Sequence, residues 1–159
     1  MKDAAPQQVH LADYAPYPFR VEEVRLTVRL APRSTRVLAR IVFAPRSAAP
    51  PARTLFLHGE TLTPVSTRIE GAVVEPRPAE GGIEVDVPEG RFTWEAEVEI
   101  DPEANTALEG LYLSQGMFCT QCEAEGFRKI TYYPDRPDVM APFTVRIESD
   151  LPVLLSNGN

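Results

Sequence analysis

Apolar and polar residues alternate with a period of two along most of the chain before Asp101. Val24, Leu26, Val28 and Leu30 fall on one side and Arg25, Thr27 and Arg29 on the other, the pattern of a strand with one face against a core. Pro32 and Ser34 supply a turn. Val37, Ala39, Ile41 and Phe43 then alternate with Arg36, Leu38, Arg40 and Val42 up to Pro45, so the two runs predict a hairpin. The proline-rich stretch Ala44 to Ala52 reads as an exposed connection rather than a linker between domains. Leu55 and Leu57 alternate with Phe56 and His58, and Leu62, Val65, Thr67 and Ile69 form a less regular run interrupted by Pro64, which predicts two short strands. Val73 and Val74 precede Pro76 and Pro78, and Gly81-Gly82 turns the chain into Ile83, Val85 and Val87, with Glu84 and Asp86 outward. Phe92, Trp94, Ala96, Val98 and Ile100 form the longest alternating run. It predicts a central strand with Trp94 in the core.

From Asp101 the character changes. Asn105 to Tyr112 reads as loop with a possible turn of helix, and Met117 to Arg136 is dense in Cys, Gln, Glu, Phe and Tyr without period two. Helix is confined to a short piece around Glu125 to Tyr132, because Gly126 and the prolines that follow stop it. Phe143, Val145 and Ile147 alternate again, and Val153, Leu154 and Leu155 run into Ser156-Asn157-Gly158-Asn159. An apolar strand entering an Asn-Gly turn normally has a partner after it. The expectation is therefore a chain cut short within a larger protein, with an open sheet edge near Phe143 to Leu155 that invites self-association. The fold class that follows is all-β: antiparallel strands in a β-sandwich of at least two sheets, with one short helix.

Composition narrows the setting. The 159 residues, 43% hydrophobic and 25% charged, make one domain over 1–159 with its own core. Sixteen prolines leave little room for long helices. The run from Met1 to Phe19 lacks the apolar stretch of a signal peptide, and no run reaches the roughly 20 apolar residues of a spanning helix. The expected setting is the cytoplasm, without a membrane partner. A net charge of −7 repels phosphate backbones, so nucleic acid is not an expected partner either.

The candidate chemistry lies after Met117. Cys119-Thr120-Gln121-Cys122 has the spacing of a redox dithiol or half a zinc site. Zinc needs further donors, and the only histidines, His10 and His58, are remote in sequence and read as surface residues; two packed, reduced thiols are the favoured reading. A structural network of buried Arg with Asp accounts for Arg128, Asp135, Arg136 and Asp138. Gln121 and Glu123 are different. If the chain is extended there, both side chains point the same way, and an amide oxygen and a carboxylate converge on one cationic group.

At these residues the chain resembles a known family. Asn105-Thr106-Ala107-Leu108-Glu109-Gly110-Leu111-Tyr112, the run Cys119 to Arg128 reading CTQCEAEGFR, Thr131-Tyr132-Tyr133-Pro134-Asp135-Arg136-Pro137-Asp138-Val139, and Leu154-Leu155-Ser156-Asn157-Gly158-Asn159 are similar to the amino-terminal domain of bacterial aminopeptidase N; Leu55-Phe56-Leu57-His58-Gly59-Glu60 is compatible with it. Members of that family are zinc metallopeptidases that remove amino-terminal residues from peptides. The resemblance implies a saddle-shaped set of sheets beside a catalytic domain of the same polypeptide. It also implies that Gln121 and Glu123, in Thr120-Gln121-Cys122-Glu123, hold the free α-amino group of a peptide substrate. Neither Gly-x-Met-Glu-Asn nor His-Glu-x-x-His occurs in these residues. The catalytic residues and the Zn2+ ligands are accordingly expected outside this chain, which is expected to be inactive alone. The alternative is a free-standing β-sandwich module whose acidic, aromatic segment recognises a cationic or polar ligand.

Overall fold

The computed structural model describes residues 10–47 and 52–156. Eleven strands follow in order: β1 (Phe19–Arg29), β2 (Thr35–Pro45), β3 (Thr54–His58), β4 (Thr63–Ile69), β5 (Ala72–Val73), β6 (Arg77–Ala79), β7 (Gly82–Asp86), β8 (Phe92–Ile100), β9 (Gly110–Ser114), β10 (Met117–Gln121) and β11 (Phe143–Glu148). The only helical pieces among the described residues are two 3₁₀ turns, Leu11–Asp13 and Phe127–Lys129. The second lies inside the segment expected to be helical but is shorter.

Three sheets result. The largest has six strands in the order β11-β1-β2-β8-β4-β5; β3-β7-β6 form a second, and β9 and β10 a two-stranded ribbon. The alternation foretells which faces meet. Val24, Val37, Ile41, Phe43, Phe92, Trp94 and Val98 of the large sheet are fully enclosed, as are Leu55 and Leu57 of the smaller one, and they belong to one apolar cluster. Phe19, Phe43 and Phe92 pack ring on ring with centroids 5.4–6.2 Å apart. Burying side chains of this size stabilises by roughly 1.5–3 kcal/mol each, which is why the period-two residues and not the polar ones decide the register. On the outward face, Arg36 pairs with Glu97 at 2.8 Å and Arg40 approaches Glu95 at 3.6 Å; exposed pairs of this kind add at most about 1 kcal/mol apiece.

The structure departs from the sequence-based expectations at several places. β11 runs parallel to β1, with Val24 opposite Phe143 and Val28 opposite Ile147, whereas an antiparallel arrangement was expected. A long connection from β8 allows the return in the same direction. Residues 110–114 and 117–121 form the β9–β10 hairpin, where loop and irregular chain were expected. Residues 153–155 are not in a strand, and Val153 and Leu155 are exposed. The Asn157-Gly158 turn and part of the 44–52 connection lie outside the described residues.

Candidate functional site

Gln121 is the last residue of β10 and pairs with Gly110, the first of β9. Immediately after it the chain leaves the strand and turns through residues 123–126 into the Phe127–Lys129 3₁₀ turn. Extended geometry therefore does not align Gln121 with Glu123. The Gln121 side chain folds onto the backbone of the turn instead, Nε2 donating to the Glu123 main-chain carbonyl at 3.3 Å. The Glu123–Ala124 peptide is cis.

Two glycines let this turn lie against the ribbon. A Cβ on Gly126 would stand 2.4 Å from the Gln121 carbonyl oxygen and 3.0 Å from both Cys122 Cα and Gly110 N. Gly110 itself has φ +73° and would place a Cβ 2.8 Å from that of Lys129. The turn is closed by Gly126 N–H donating to the Cys122 carbonyl at 3.0 Å and Lys129 N–H to the Gly126 carbonyl at 3.1 Å.

Behind it sits a charged brace. Buried Arg128 donates from Nε to Asp135 Oδ2 at 3.1 Å and from Nη2 to the Asp135 carbonyl at 3.0 Å, while its own N–H also reaches Oδ2 at 3.1 Å. Glu125 lies 3.5 Å and Glu60 3.9 Å from the same guanidinium. Lys129 pairs with Glu109 at 2.9 Å and with Glu60 at 3.6 Å, and the Glu109 carboxylate raises its pKa. Arg136 pairs with Asp138 at 2.8 Å. The four-residue network read from the sequence is thus two buried or half-buried pairs.

His58 is a correction. It is half-buried, its backbone bridges Tyr133 at 2.9 and 3.1 Å, and its Nδ1 accepts the Asp135 N–H at 3.1 Å. Burial, helped by the Arg128 guanidinium, holds its pKa below the usual histidine range. His58 thereby positions the partner of Arg128. The signal was absent from the sequence because the bridge joins residues far apart in the chain.

The cations around the turn are all engaged, but the Glu123 carboxylate is exposed and has no hydrogen bond or ion pair among the described residues. The Gln121 amide oxygen likewise accepts nothing among them. Two acceptors two residues apart and open to solvent, beside carboxylates already neutralised, suit a ligand cation with several N–H donors. Cys119 and Cys122 are both free thiols. Burial, with Asp135 nearby, raises the Cys122 pKa, the opposite of what a redox nucleophile needs.

The Peptidase M1 N-terminal domain family matches residues 55–159. The chain belongs to this family. Over 167 residues it is 48% identical to aminopeptidase N of Caulobacter vibrioides, and over 161 residues 46% identical to aminopeptidase N of Escherichia coli. These alignments take in 100% and 97% of the chain but only 19% and 18% of the relatives, so the chain spans about a fifth of their length. The structure of Legionella pneumophila aminopeptidase A in complex with aspartic acid superposes with a TM-score of 0.85 at 31% identity, covering 93% of this chain and 18% of that one. The M1 zinc metallopeptidase of Deinococcus radiodurans shares the fold, with a TM-score of 0.69 at 18% identity over 82% of this chain and 32% of its own.

The described residues of this M1 domain do not themselves offer a site for a zinc ion. Such an ion takes three or four N, O or S donors, and no group of three His, Cys, Asp or Glu able to hold a metal occurs among the described residues. His58 Nδ1 is already occupied by the Asp135 N–H.

Proposed function

We propose that this chain is the amino-terminal β-sandwich domain of a zinc-dependent aminopeptidase that removes amino-terminal residues from peptides. In this reading Gln121 and Glu123 form one wall of the substrate site and hold the free α-ammonium group. Zinc and the catalytic base belong to a catalytic domain of the same polypeptide, so the isolated chain binds but does not hydrolyse. The two free thiols suit a reducing compartment, which the reading takes to be the cytoplasm.

The observation that carries the proposal is the exposed Glu123 carboxylate, unpaired among the described residues, in a turn whose backbone Gln121 holds at the end of a hairpin and where every neighbouring cation is engaged. An aminopeptidase must reject internal peptide bonds, and a carboxylate that pairs with an ammonium group rewards only a free terminus. Gln121 accepts a second ammonium hydrogen and sets the direction of the amine. A charge-assisted hydrogen bond contributes about 1.5–3 kcal/mol, so Glu123→Ala in the aminopeptidase carrying this domain lowers kcat/KM for an amino-acid arylamide by roughly ten- to a hundredfold. Gln121→Ala costs less, because no charge is lost. Zinc content stays at the parent level in both. Parent kinetics in Glu123→Ala, with folding and zinc intact, would remove the pair from the substrate site.

A further inference from the structure

His58 closes β3, and its backbone exchanges two hydrogen bonds with Tyr133 at 2.9 and 3.1 Å. The Phe56 ring meets the imidazole edge-on, with centroids 4.9 Å apart. Held in this way, Nδ1 accepts the Asp135 N–H at 3.1 Å. An accepting Nδ1 requires a neutral ring whose proton sits on Nε2. Opposite His58 on β7 stands Gly82, which brings no charge. The charges that act on the imidazole come from the turn and the loop after it. Burial and the Arg128 guanidinium oppose its protonation, while the Asp135 carboxylate, the Tyr133 carbonyl and the Glu125 carboxylate favour it.

The same groups hold the turn that bears Glu123. Asp135 Oδ2 takes both the backbone N–H and the Nε of Arg128, the Glu60 N–H donates to the Arg128 carbonyl at 3.0 Å, and Glu125 lies 3.5 Å from Arg128 Nη2. Asp135 also acts on Cys122, between Gln121 and Glu123, whose pKa burial and that carboxylate raise. The imidazole therefore reaches the turn through one intervening residue.

We propose that His58 is a positioning residue for the amine site, its neutral imidazole keeping Asp135 on Arg128 and its protonated form releasing Arg128 toward Glu123. This rests on the reading of Gln121 and Glu123 as amine binders. Protonation places a hydrogen on Nδ1, which then faces the Asp135 N–H donor to donor, so that bond is lost. The imidazolium is drawn to the Asp135 carboxylate and competes with Arg128 for it. Because Oδ2 carries two of the Arg128 bonds, a swing of the carboxylate toward the imidazolium loosens both. A guanidinium released there competes with a substrate ammonium for Glu123, which weakens binding and so falls on KM more than on kcat. With the His58 pKa held low, the hold is intact at neutral pH and is lost as pH falls through the folded-state value.

The test uses the whole enzyme with two variants: His58→Asn, whose Oδ1 takes the place of Nδ1 and accepts without titrating, and His58→Leu, which accepts nothing. Each is compared with the parent at the same pH, from roughly 8 down to roughly 5, so that ionisation of the substrate and of the metal site cancels. At the upper end His58→Asn should keep KM for an amino-acid arylamide within about twofold of the parent, while His58→Leu raises it roughly tenfold and changes kcat less. As pH falls, the parent's KM should climb away from that of His58→Asn toward that of His58→Leu. Over the same range, amide exchange at Gly126, Arg128 and Lys129 should quicken in the parent relative to His58→Asn, at constant zinc content. A parent-to-Asn ratio of KM that stays flat overturns the proposal, and so does a His58→Leu enzyme that matches His58→Asn throughout. Should His58→Leu not fold, the parent-to-Asn ratio decides alone. Flat exchange and KM ratios beside a Glu123→Ala enzyme that has lost activity remove His58 and leave the amine reading standing. Quickened exchange with a kinetically silent Glu123→Ala removes the amine reading, and with it the role of His58 in binding, while its hold on the turn survives.

Discussion

Replacing Gly126 by alanine probes whether the turn geometry serves the substrate site. The backbone there, at φ −84° and ψ −19°, is open to any residue, so conformational strain plays no part. Space does. The new Cβ would lie 2.4 Å from the Gln121 carbonyl oxygen and 3.0 Å from Cys122 Cα and Gly110 N, against an ordinary carbon contact of about 3.5 Å. All three obstacles are backbone atoms, and no side-chain rotamer can relieve them. The turn must move away from β10 by about 1 Å, taking Glu123 with it. Overpacking of this kind costs about 1–3 kcal/mol, which in a domain of this size lowers Tm by roughly 2–12 °C. A misplacement approaching 1 Å costs up to about a hundredfold in rate, so kcat/KM of the full enzyme should fall ten- to a hundredfold while zinc is retained. Gly90→Ala is the control: that glycine has φ +82° and nothing within 4 Å of the added carbon, so it costs about 1–2 kcal/mol of stability and leaves kinetics alone. Gly126→Ala with the kinetics and melting temperature of the parent would refute the claim that this contact holds the proposed amine site in place.

Three further outcomes are expected. Because the folded-state pKa of His58 is depressed, the folded chain binds fewer protons than the unfolded one below the ordinary histidine pKa of about 6.5; the stability due to neutral His58 is complete above that pH and declines as pH falls toward the folded pKa. His58→Asn keeps an acceptor for the Asp135 N–H without titrating, so between pH 7.5 and 5 its melting temperature should drop less than the parent's, and parallel curves would exclude the effect. The isolated chain should lose added zinc on dialysis and leave an amino-acid arylamide intact; stoichiometric zinc retained through Cys119 and Cys122 would contradict this. Since β11 ends the six-stranded sheet with Phe143 and Val145 exposed, light scattering of the isolated chain should rise faster than concentration, and a monomer throughout would argue against an open edge over 143–148.

The elements legible in the sequence are those with one face against the core. In β8, Phe92, Trp94 and Val98 are fully enclosed while Glu95, Glu97 and Glu99 face outward, and that asymmetry is what period two records. The β9–β10 ribbon has no such asymmetry. Met117 is 63% exposed and Phe118 and Leu113 are only half-buried, so the hairpin leaves no alternation to read. The parallel pairing of β11 was hidden for another reason: its alternation is present, but a strand's pattern does not name its neighbour. The residue types at Gln121 and Glu123 suggested a pair aligned by an extended chain; the chain instead turns after Gln121, whose side chain bonds to the Glu123 main-chain carbonyl.

The brace behind this turn contributes position more than stability. Arg128 and Asp135 have side chains 10% and 12% exposed, and at such burial the cost of desolvating both charges offsets much of their attraction. Two bonds from the guanidinium and one from the Arg128 backbone N–H to one aspartate residue, with that aspartate's own N–H fixed by His58, hold the arginine in one orientation. The 3₁₀ turn is thereby locked to the β3 end, and Lys129 beside it ties Glu60 and Glu109 to the ribbon. Asn105 completes the attachment from the far side, donating to the Glu109 and Leu111 carbonyls at 2.7 and 2.9 Å. Each cation in this region is consumed in holding the turn, and the carboxylate at its tip is left without a cation among the described residues. Under the proposed function, the same ion pairs that look like structural support would set the charge presented to a substrate: releasing Arg128 or Lys129 from its carboxylates would put a competing cation near Glu123 as well as loosening the turn.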